Sequence, residues 1–314
     1  MMKRKIGIIG VGHVGAHCAL TLCLLDACDE LVLIDIIEHK AVSEALDLLD
    51  CMKYLPHRVD IRTGTYADVR DCDIVVISVG VHKKSGSEDI HHKNRLQGLA
   101  EKAGMVDRFI PDIVEAGFKG IFIVITNPCD IIAYHIMKIS GFDRSRVFAT
   151  GTMLDSMRFC QALSRETGHD PQKITGYTMG EHGDSQIAVW SQVSIDGTPL
   201  SSAGSAIDPE RIINEVRGQA WNIADGKGAT EFGISVALSK IVQSIYGDDK
   251  VIYPLSTLLM GQYGVVDLFA STPCVLGRNG IEQVIEVRLT DEELRGFQNS
   301  CEVIKKHIQS IDPG

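Results

Sequence analysis

The stretch KIGIIGVGHVG, residues 5–15, decides the fold of this chain. An apolar run over residues 5–10 leads into a turn with three glycines, and the apolar residues that follow recur at helical spacing. A strand that turns on glycines into a helix is the usual opening of a βαβ unit. The stretch therefore predicts a parallel sheet with helices on its faces.

The rest of the first half repeats this alternation of strand and helix. The further apolar runs that we predict as strands are ELVLID at residues 30–35, DIVVISVG at 73–80, GIFIVIT at 120–126 and RVFATG at 146–151. Continuous apolar strands between helices are typical of a Rossmann-type, doubly wound α/β sheet. The second half mixes near-alternating stretches with helices, which predicts an α+β unit. With the boundary near Thr150, we expect a Rossmann domain over residues 1–149 and an α+β substrate domain over residues 150–314.

The three glycines of the turn in the opening stretch predict a dinucleotide site. Gly10 makes the tight turn, Gly12 lets the backbone approach a pyrophosphate, and Gly15 lets the helix pack close to the sheet. His13 and Val14 begin the helix, whose N-terminus would face the phosphates. A glycine-rich structural turn is the alternative interpretation of this motif.

An acid at the end of the next strand favours NAD as the dinucleotide. Asp35 lies twenty positions after Gly15, where its carboxylate can accept hydrogen bonds from ribose hydroxyls. The same charge would repel the additional phosphate of NADP, and no arginine follows directly to bind it. We therefore predict NAD.

The composition excludes several classes of protein. The chain has 314 residues and a formal charge of −10, so neither a nucleic acid nor an anionic membrane is expected as a partner. No apolar run reaches the roughly 18 residues that a membrane helix needs. The nine cysteines are odd in number and show no C-x-x-C spacing, which indicates free thiols in the cytoplasm, without a disulfide framework or a metal site.

The stretch GEHGDS at residues 180–185 indicates the chemistry. A hydride exchanged with a nicotinamide needs a proton partner at the substrate oxygen, and histidine titrates near neutrality, which makes His182 the candidate. In LDSMRF, Asp155 and Arg158 are three positions apart and would share one face of a helix. One supplies a carboxylate for the imidazole, and the other a two-pronged donor for a substrate carboxylate.

Along nearly its whole length the chain resembles the L-lactate and malate dehydrogenase superfamily, in its L-lactate and L-2-hydroxyisocaproate dehydrogenase branch. The resemblance rests on GVGHVG, LIDI, ITNPCD, GTMLDSMRF, MGEHGDSQIAVWS, KGATEFG and CVLGRNGI, in the family's order and spacing. It implies an NAD-dependent enzyme that reduces a 2-oxo acid to an L-2-hydroxy acid. It also implies a homo-oligomer, either a dimer or a tetramer.

The resemblance assigns a role to each of three central residues. His182 would be the proton donor and acceptor, and Asp155 would pair with it and raise its affinity for a proton. Arg158 would hold the substrate carboxylate. Taken alone, the same residues are common as a structural histidine, a helix cap and an ion-pair partner.

The resemblance implies further contacts from four other residues. Arg95 would close over the substrate on a mobile loop and polarise its carbonyl group. Asn127 would reach the carbonyl oxygen or help to place the nicotinamide, with a cis peptide bond to Pro128. Thr230 would line the substrate pocket, and Gly80 would lie on the cofactor side.

The segment before Arg95 departs from the family and bears on the substrate. VGVHKKSGSEDIHHKNRL is longer than the family's usual segment, and alignment back from Arg95 places Glu88 or Asp89 near the specificity position. An acid there would repel a dicarboxylate, which disfavours malate. The greater length is typical of L-2-hydroxyisocaproate dehydrogenases, which accept bulkier 2-oxo acids. A solvated loop of variable length is the alternative.

Two other positions bear on regulation. Bacterial lactate dehydrogenases that fructose 1,6-bisphosphate activates carry an arginine and a histidine where this chain has Cys160 and Thr175. We therefore expect no activation by that sugar phosphate.

Three other functions compete with an L-2-hydroxy acid dehydrogenase. Malate dehydrogenases of this family carry an arginine at the specificity position to meet the second carboxylate of the substrate, and the absence of an arginine there disfavours this function. An NAD-using glycosidase shares the fold but needs a metal site of cysteine and histidine. A non-enzymatic NAD sensor would not need the set of His182, Asp155 and Arg158.

Overall fold

A computed structural model describes residues 3–80, 95–202 and 207–310, with only the backbone described at 95–97 and 202. The helices are α1 (His13–Leu24), α2 (Glu38–Cys51), α3 (Arg95–Glu115), α4 (Cys129–Ser140), α5 (Met153–Thr167), α6 (Pro209–Lys227), α7 (Phe232–Gly247) and α8 (Asp291–Gln309). The strands of the first half are β1 (Lys5–Ile9), β2 (Glu30–Ile34), β3 (Asp60–Thr63), β4 (Ile74–Ile77), β5 (Ile121–Val124) and β6 (Val147–Ala149). The strands of the second half are β7 (Ile174–Thr175), β8 (Thr178–Met179), β9 (Ile187–Ala188), β10 (Ser194–Ile195), β11 (Thr198–Pro199), β12 (Val251–Met260), β13 (Val266–Gly277) and β14 (Gly280–Val284).

A nine-stranded sheet forms the centre of the described structure, in the order β14-β13-β12-β6-β5-β4-β1-β2-β3. The strands from β6 to β3 are parallel, and β12, β13 and β14 continue the sheet antiparallel. Chain order reverses between β1 and β4, and ligands bind at such a switch point, outside the carboxyl ends of the strands. The glycine turn therefore lies at the switch point of the sheet, where a ligand is expected.

The five predicted strands of the first half are present as β1, β2, β4, β5 and β6. The sequence does not predict β3, because this edge strand is half-buried throughout and carries Asp60 and Arg62. It does not predict β12 either, since Pro254 interrupts its apolar run. Through β12, which pairs with β6 at Ser256 and Ala149, the sheet extends beyond the expected boundary at Thr150.

Helices cover the sheet and join the two halves of the chain. Leu22 of α1 packs in one apolar core with Leu238 and Ile241 of α7, so the helix that follows the glycine turn rests on the second half. None of the helices in the described ranges combines the length and apolar character that crossing a bilayer requires.

Candidate functional site

The turn from β1 into α1 leaves no room for side chains at two of its glycines. Gly10 has φ +88°, and a Cβ there would lie 2.5 Å from the Ser78 carbonyl oxygen of the neighbouring strand end. A Cβ on Gly15 would collide with the Gly10 carbonyl oxygen. Both positions therefore require glycine, one for its dihedral angle and one for the close approach of helix to strand.

The N-terminus of α1 lies beside open space. A Cβ on Gly12 would meet the Lys40 Nζ atom at 3.9 Å and otherwise open space. The first intrahelical hydrogen bond runs from the Ala16 N–H to the Gly12 carbonyl, which leaves the N–H groups of His13 and Val14 without an intrahelical acceptor. Free N–H groups, the helix dipole and a nearby ammonium group suit a pyrophosphate.

Asp35 lies at the carboxyl end of β2 and is tied to the glycine turn. Its Oδ2 accepts the Val11 N–H at 3.0 Å, and its Oδ1 accepts the Ile37 N–H at 2.9 Å. A carboxylate has about four lone-pair sites, so acceptor capacity remains for ribose hydroxyls. The fold thus brings the predicted acid next to the predicted phosphate turn.

The ends of β4 and β5 meet beside this turn. The Thr126 hydroxyl donates to the Val79 carbonyl at 2.9 Å, and the exposed Gly80 follows Val79. Asn127 is also exposed, its peptide bond to Pro128 is cis as expected, and its carbonyl accepts from Lys102 Nζ at 2.6 Å.

The second group of candidate residues is a buried chain of charges at the start of α5. Arg158 Nη1 donates to Asp155 Oδ1 at 3.0 Å, one turn away on the same helix. Asp155 Oδ2 lies 2.5 Å from His182 Nδ1. The side chains of Asp155 and Arg158 are 2% and 6% exposed, and that of His182 is 20% exposed. The fold therefore places residue 182 beside residue 155, 27 positions earlier in the sequence.

The loop that carries His182 is fixed through its backbone. The Glu181 N–H donates to Ser300 Oγ of α8 at 2.8 Å, and the His182 N–H donates to Asp130 Oδ2 of α4 at 2.9 Å. The Glu181 carboxylate accepts the Ser185 hydroxyl at 2.6 Å, inside the loop. These bonds hold the imidazole at one position against Asp155.

The charged side chains of Arg158, Asp155 and His182 stabilise one another. Burial opposes the charged form of His182, but the charge and hydrogen bond of Asp155 raise the pKa of the imidazole above its usual value. Burial likewise opposes ionisation of Asp155, and His182 and Arg158 together lower the pKa of that carboxyl. Near neutrality the arrangement therefore favours an ionised Asp155 beside an imidazole that can hold a proton.

Thr230 is half-buried in the loop between α6 and α7. The start of α7 lies against the start of α5, since a Cβ on Gly233 would come within 2.6 Å of Leu154 Cδ1. The fold thus brings the Thr230 loop to the end of α5 that carries Asp155. Arg95 begins α3, but its side chain and residues 81–94, with Glu88 and Asp89, lie outside the described residues.

Sequence reasoning missed Asp130, which stands within the motif ITNPCD. The sequence does contain an indication of its burial, because this acid directly precedes the apolar residues IIA at the start of a predicted helix. Within the described ranges, no group of three or more histidine, cysteine or acidic residues could hold a metal ion.

Models of two domains match this chain: "lactate/malate dehydrogenase, NAD binding domain" over residues 4–149, and "lactate/malate dehydrogenase, alpha/beta C-terminal domain" over residues 152–312. The L-lactate dehydrogenase of Fusobacterium nucleatum is 40% identical, over 98% of this chain and 97% of that protein. L-lactate dehydrogenase 3 of Bacillus cereus is 38% identical, over 98% of each chain.

Solved structures resemble the whole chain. The minor L-lactate dehydrogenase of Enterococcus mundtii, in its ligands-bound form, superposes with a TM-score of 0.94 at 32% identity, over 100% of both chains. A lactate dehydrogenase from a Medee basin deep-sea metagenome library gives a TM-score of 0.92 at 32% identity, over 99% of both chains. The predicted Rossmann-type sheet followed by an α+β unit is confirmed by this likeness.

Proposed function

The chain belongs to the lactate/malate dehydrogenase family, and we propose that it is an L-lactate dehydrogenase, which reduces pyruvate with NADH and oxidises L-lactate with NAD. The predicted family, the NAD cofactor and the dehydrogenase class are confirmed by the comparisons. The observation that carries the proposal is the buried chain from Arg158 through Asp155 to His182. It combines a cation for a substrate carboxylate with a proton partner for the substrate oxygen.

His182 moves the proton. With Asp155 on Nδ1, the tautomer of the neutral ring is fixed and Nε2 is left for the substrate oxygen. NADH, when bound in the crevice, would supply the hydride for the carbonyl carbon of pyruvate. The protonated His182 gives the Nε2 proton to the carbonyl oxygen, and in lactate oxidation the neutral ring takes it back.

Arg158 orients the substrate. The guanidinium has five N–H donors, and the bond to Asp155 uses Nη1. The remaining donors can form a two-pronged pair with the substrate carboxylate. Asn127 would contact the carbonyl oxygen or the nicotinamide, Thr230 would line the pocket, and Arg95 would polarise the carbonyl group when its loop closes.

The crevice at the glycine turn would hold NAD. Gly10, Gly12 and Gly15 shape the turn, and the N–H groups of His13 and Val14 would bind the pyrophosphate. Asp35 would accept hydrogen bonds from the adenosine ribose, in support of NAD over NADP. Gly80 and Asn127 would lie on the nicotinamide side of the crevice. The two domain models support separate units over residues 1–149 and 150–314.

A substrate panel tests this function. We expect kcat/KM with NADH to be highest for pyruvate among pyruvate, 2-oxobutyrate, 2-oxoisocaproate, phenylpyruvate and oxaloacetate. One added methylene group changes discrimination by roughly 10- to 200-fold, so the ranking should be clear. A preference for 2-oxoisocaproate would overturn pyruvate as the substrate but keep the reaction. A preference for oxaloacetate would contradict the argument that an acid near the specificity position repels a dicarboxylate.

Fructose 1,6-bisphosphate should not activate the enzyme. Thr175 is exposed, and the half-buried Cys160 has its Sγ 3.8 Å from the Gly176 carbonyl oxygen. Neither is a cation, and strong phosphate binding in proteins relies on cationic donors. In the pyruvate assay, millimolar fructose 1,6-bisphosphate should change kcat/KM by no more than about twofold. Strong activation would contradict this expectation.

A homo-oligomer, either a dimer or a tetramer, is the proposed assembly. Val42, Leu46 and Leu49 form an exposed apolar row on α2, and Phe232 and Val236 are exposed on α7. Apolar rows of this kind mark contact surfaces. Light scattering should give a multiple of the 34.3 kDa chain mass, and Leu46→Glu should lower it. A monomer at micromolar concentration would exclude the assembly.

The cytoplasm is the proposed location. All nine cysteines lie in the described ranges and are free thiols. Free cysteines in this number suit a reducing compartment. Antibody detection in fractionated cells of the source organism would test the location.

A further inference from the structure

Glu231 is a buried acid where the second half of the chain meets the glycine turn. It directly follows Thr230 and precedes α7, and its side chain is 6% exposed. Its Oε1 lies 3.5 Å from His13 Nδ1 and 3.9 Å from His17 Nδ1, both on α1. Its Oε2 pairs with the Lys227 ammonium group at the end of α6. One carboxylate thus joins three helices beside the turn that suits the cofactor phosphates.

Further contacts hold this carboxylate in place. The Ser235 hydroxyl donates to the Glu231 carbonyl at 2.7 Å, and the Cys18 thiol of α1 donates to the same hydroxyl at 3.6 Å. Lys227 Nζ lies 3.9 Å from the centre of the Phe232 ring, which keeps the ammonium group beside the acid. The start of α7 is therefore fixed against α1, and Glu231 is fixed with it.

Glu231 is a negative charge among cationic and titratable groups. Burial opposes its ionisation, but the hydrogen bond from Lys227 and the charges of the two histidines lower the pKa of its carboxyl. The charged or titratable groups around His13 are His17 on α1, Lys227 on α6, Glu231 before α7 and, beside the adjacent Gly12, Lys40 on α2.

The imidazole of His13 has one nitrogen toward the acid and most of its ring in solvent. The side chain is 83% exposed, although Nδ1 lies at ion-pair distance from Glu231. His13 is also the first residue of α1, where free N–H groups suit a pyrophosphate. A carboxylate on one ring nitrogen leaves the other as the donor for a second partner. A protonated ring can therefore bridge the Glu231 carboxylate and a second anion.

We propose that the His13 side chain binds the cofactor: held by Glu231, its protonated imidazole pairs with the pyrophosphate of NAD, so that cofactor binding takes up a proton near neutral pH. The inference rests on the proposed function and deepens it. The N–H groups of α1 bind phosphate at any pH, whereas the ring binds it only when a proton from solvent is on the imidazole. Glu231 is a positioning residue that acts through His13.

The test is the dissociation constant of NADH as a function of pH, measured by fluorescence on the full chain. A neighbouring pyrophosphate favours the protonated ring, so we expect binding to weaken by about 3- to 10-fold between about pH 6 and pH 8.5. His13→Gln lacks the charge, so it should bind weakly at both pH values. His13→Lys keeps a cation throughout this range, so it should bind tightly at both.

Calorimetry gives a second readout that does not depend on turnover. Near neutral pH, NADH binding in buffers of different ionisation enthalpy should show uptake of a fraction of a proton. His13→Gln should lose this uptake. ADP-ribose keeps the pyrophosphate and lacks the nicotinamide, so at low pH His13→Gln should weaken ADP-ribose and NADH by the same factor.

Two comparison variants separate His13 from other charges. Lys40→Gln removes a cation beside the same turn that stays charged over this pH range, so it should weaken NADH by one factor at every pH. His169→Gln removes an exposed histidine after the end of α5 and should leave the pH dependence in place.

A double-mutant cycle tests the part of Glu231. Glu231→Gln keeps the shape of the side chain and removes its charge. If the acid acts through His13, the weakening caused by His13→Gln at low pH should shrink to less than about twofold in the Glu231→Gln background. Additive effects of the two substitutions would overturn the positioning role. If Glu231→Gln does not fold, the variants of the exposed His13 still decide the proposal.

The outcomes distinguish this inference from the proposed function. If the unaltered protein binds neither NADH nor ADP-ribose, the proposed function fails and the inference fails with it. If both bind but their dissociation constants do not vary with pH, the cofactor site survives and the role of His13 is overturned. A His13→Gln variant that keeps the pH dependence and the proton uptake would also overturn it.

Discussion

Replacement of His182 by glutamine should lower kcat for pyruvate reduction by roughly 10²- to 10⁴-fold, the usual contribution of a positioned acid–base residue. Glutamine is close in size and polar, so Asp155 keeps a hydrogen-bonding neighbour while the site loses its proton donor. Dissociation of NADH, measured by fluorescence, should change by only a few-fold, because the glycine turn and Asp35 lie on other elements of the fold.

The matched control for this variant is His169→Gln. His169 is exposed after the end of α5, so kcat of its variant should match that of the unaltered enzyme. The His182 variant should also lose the pH dependence of both reaction directions. Turnover of His182→Gln within tenfold of the unaltered enzyme, at any pH, would remove this residue from the proton-transfer step.

The direction in which activity changes with pH follows from the buried pair of His182 and Asp155. Asp155 raises the pKa of His182 above its usual value near 6.5. Pyruvate reduction should therefore be fastest below the raised pKa and decline as pH increases through it. The stabilising interaction of the protonated ring with Asp155 is present below the unfolded pKa and is lost over the same interval. Activity in reduction and this part of the stability should therefore decline together.

Local sequence patterns predict the parts of the fold that depend on neighbouring residues. The glycine turn is one such part, because Gly10 and Gly15 are needed for contacts within one βαβ unit. The edge strand β3 is different, since its half-buried residues take their conformation from pairing with β2 across the chain. β12 joins β6 from more than a hundred positions away, which no periodicity reveals.

The candidate site shows the same division. Asp155 and Arg158 share a helical face through their spacing alone, and the family motifs add His182 as their partner. Asp130 has no comparable local signal for its role. Its burial and its bond to the His182 N–H arise because α4 packs beside the loop after β8, a contact between distant segments. Its contribution becomes visible only in three dimensions.

The second large effect concerns Arg158. Replacement by glutamine removes the cation proposed to hold the substrate carboxylate and leaves Asp155 buried with one positive neighbour fewer. Loss of one member of a buried charge pair costs about 2–5 kcal/mol, which corresponds to roughly 30- to 5,000-fold in kcat/KM for pyruvate. Arg158→Lys should recover little of this, because an ammonium group lacks the planar fork. NADH binding should change by only a few-fold.

Arg165→Gln is the matched control, since Arg165 lies two turns further along α5 with its side chain 47% exposed, beside Glu215. A surface pair of this kind contributes at most about 1 kcal/mol, so kcat/KM should be nearly unchanged. The pH profile gives an independent criterion. Arg158 lowers the pKa of His182, so its removal should move the decline of pyruvate reduction to higher pH. An upward shift would show that charge, and not general loosening of the site, controls the proton on His182. A downward shift in Arg158→Gln would contradict the electrostatic account, and an unchanged kcat/KM would remove Arg158 from substrate binding.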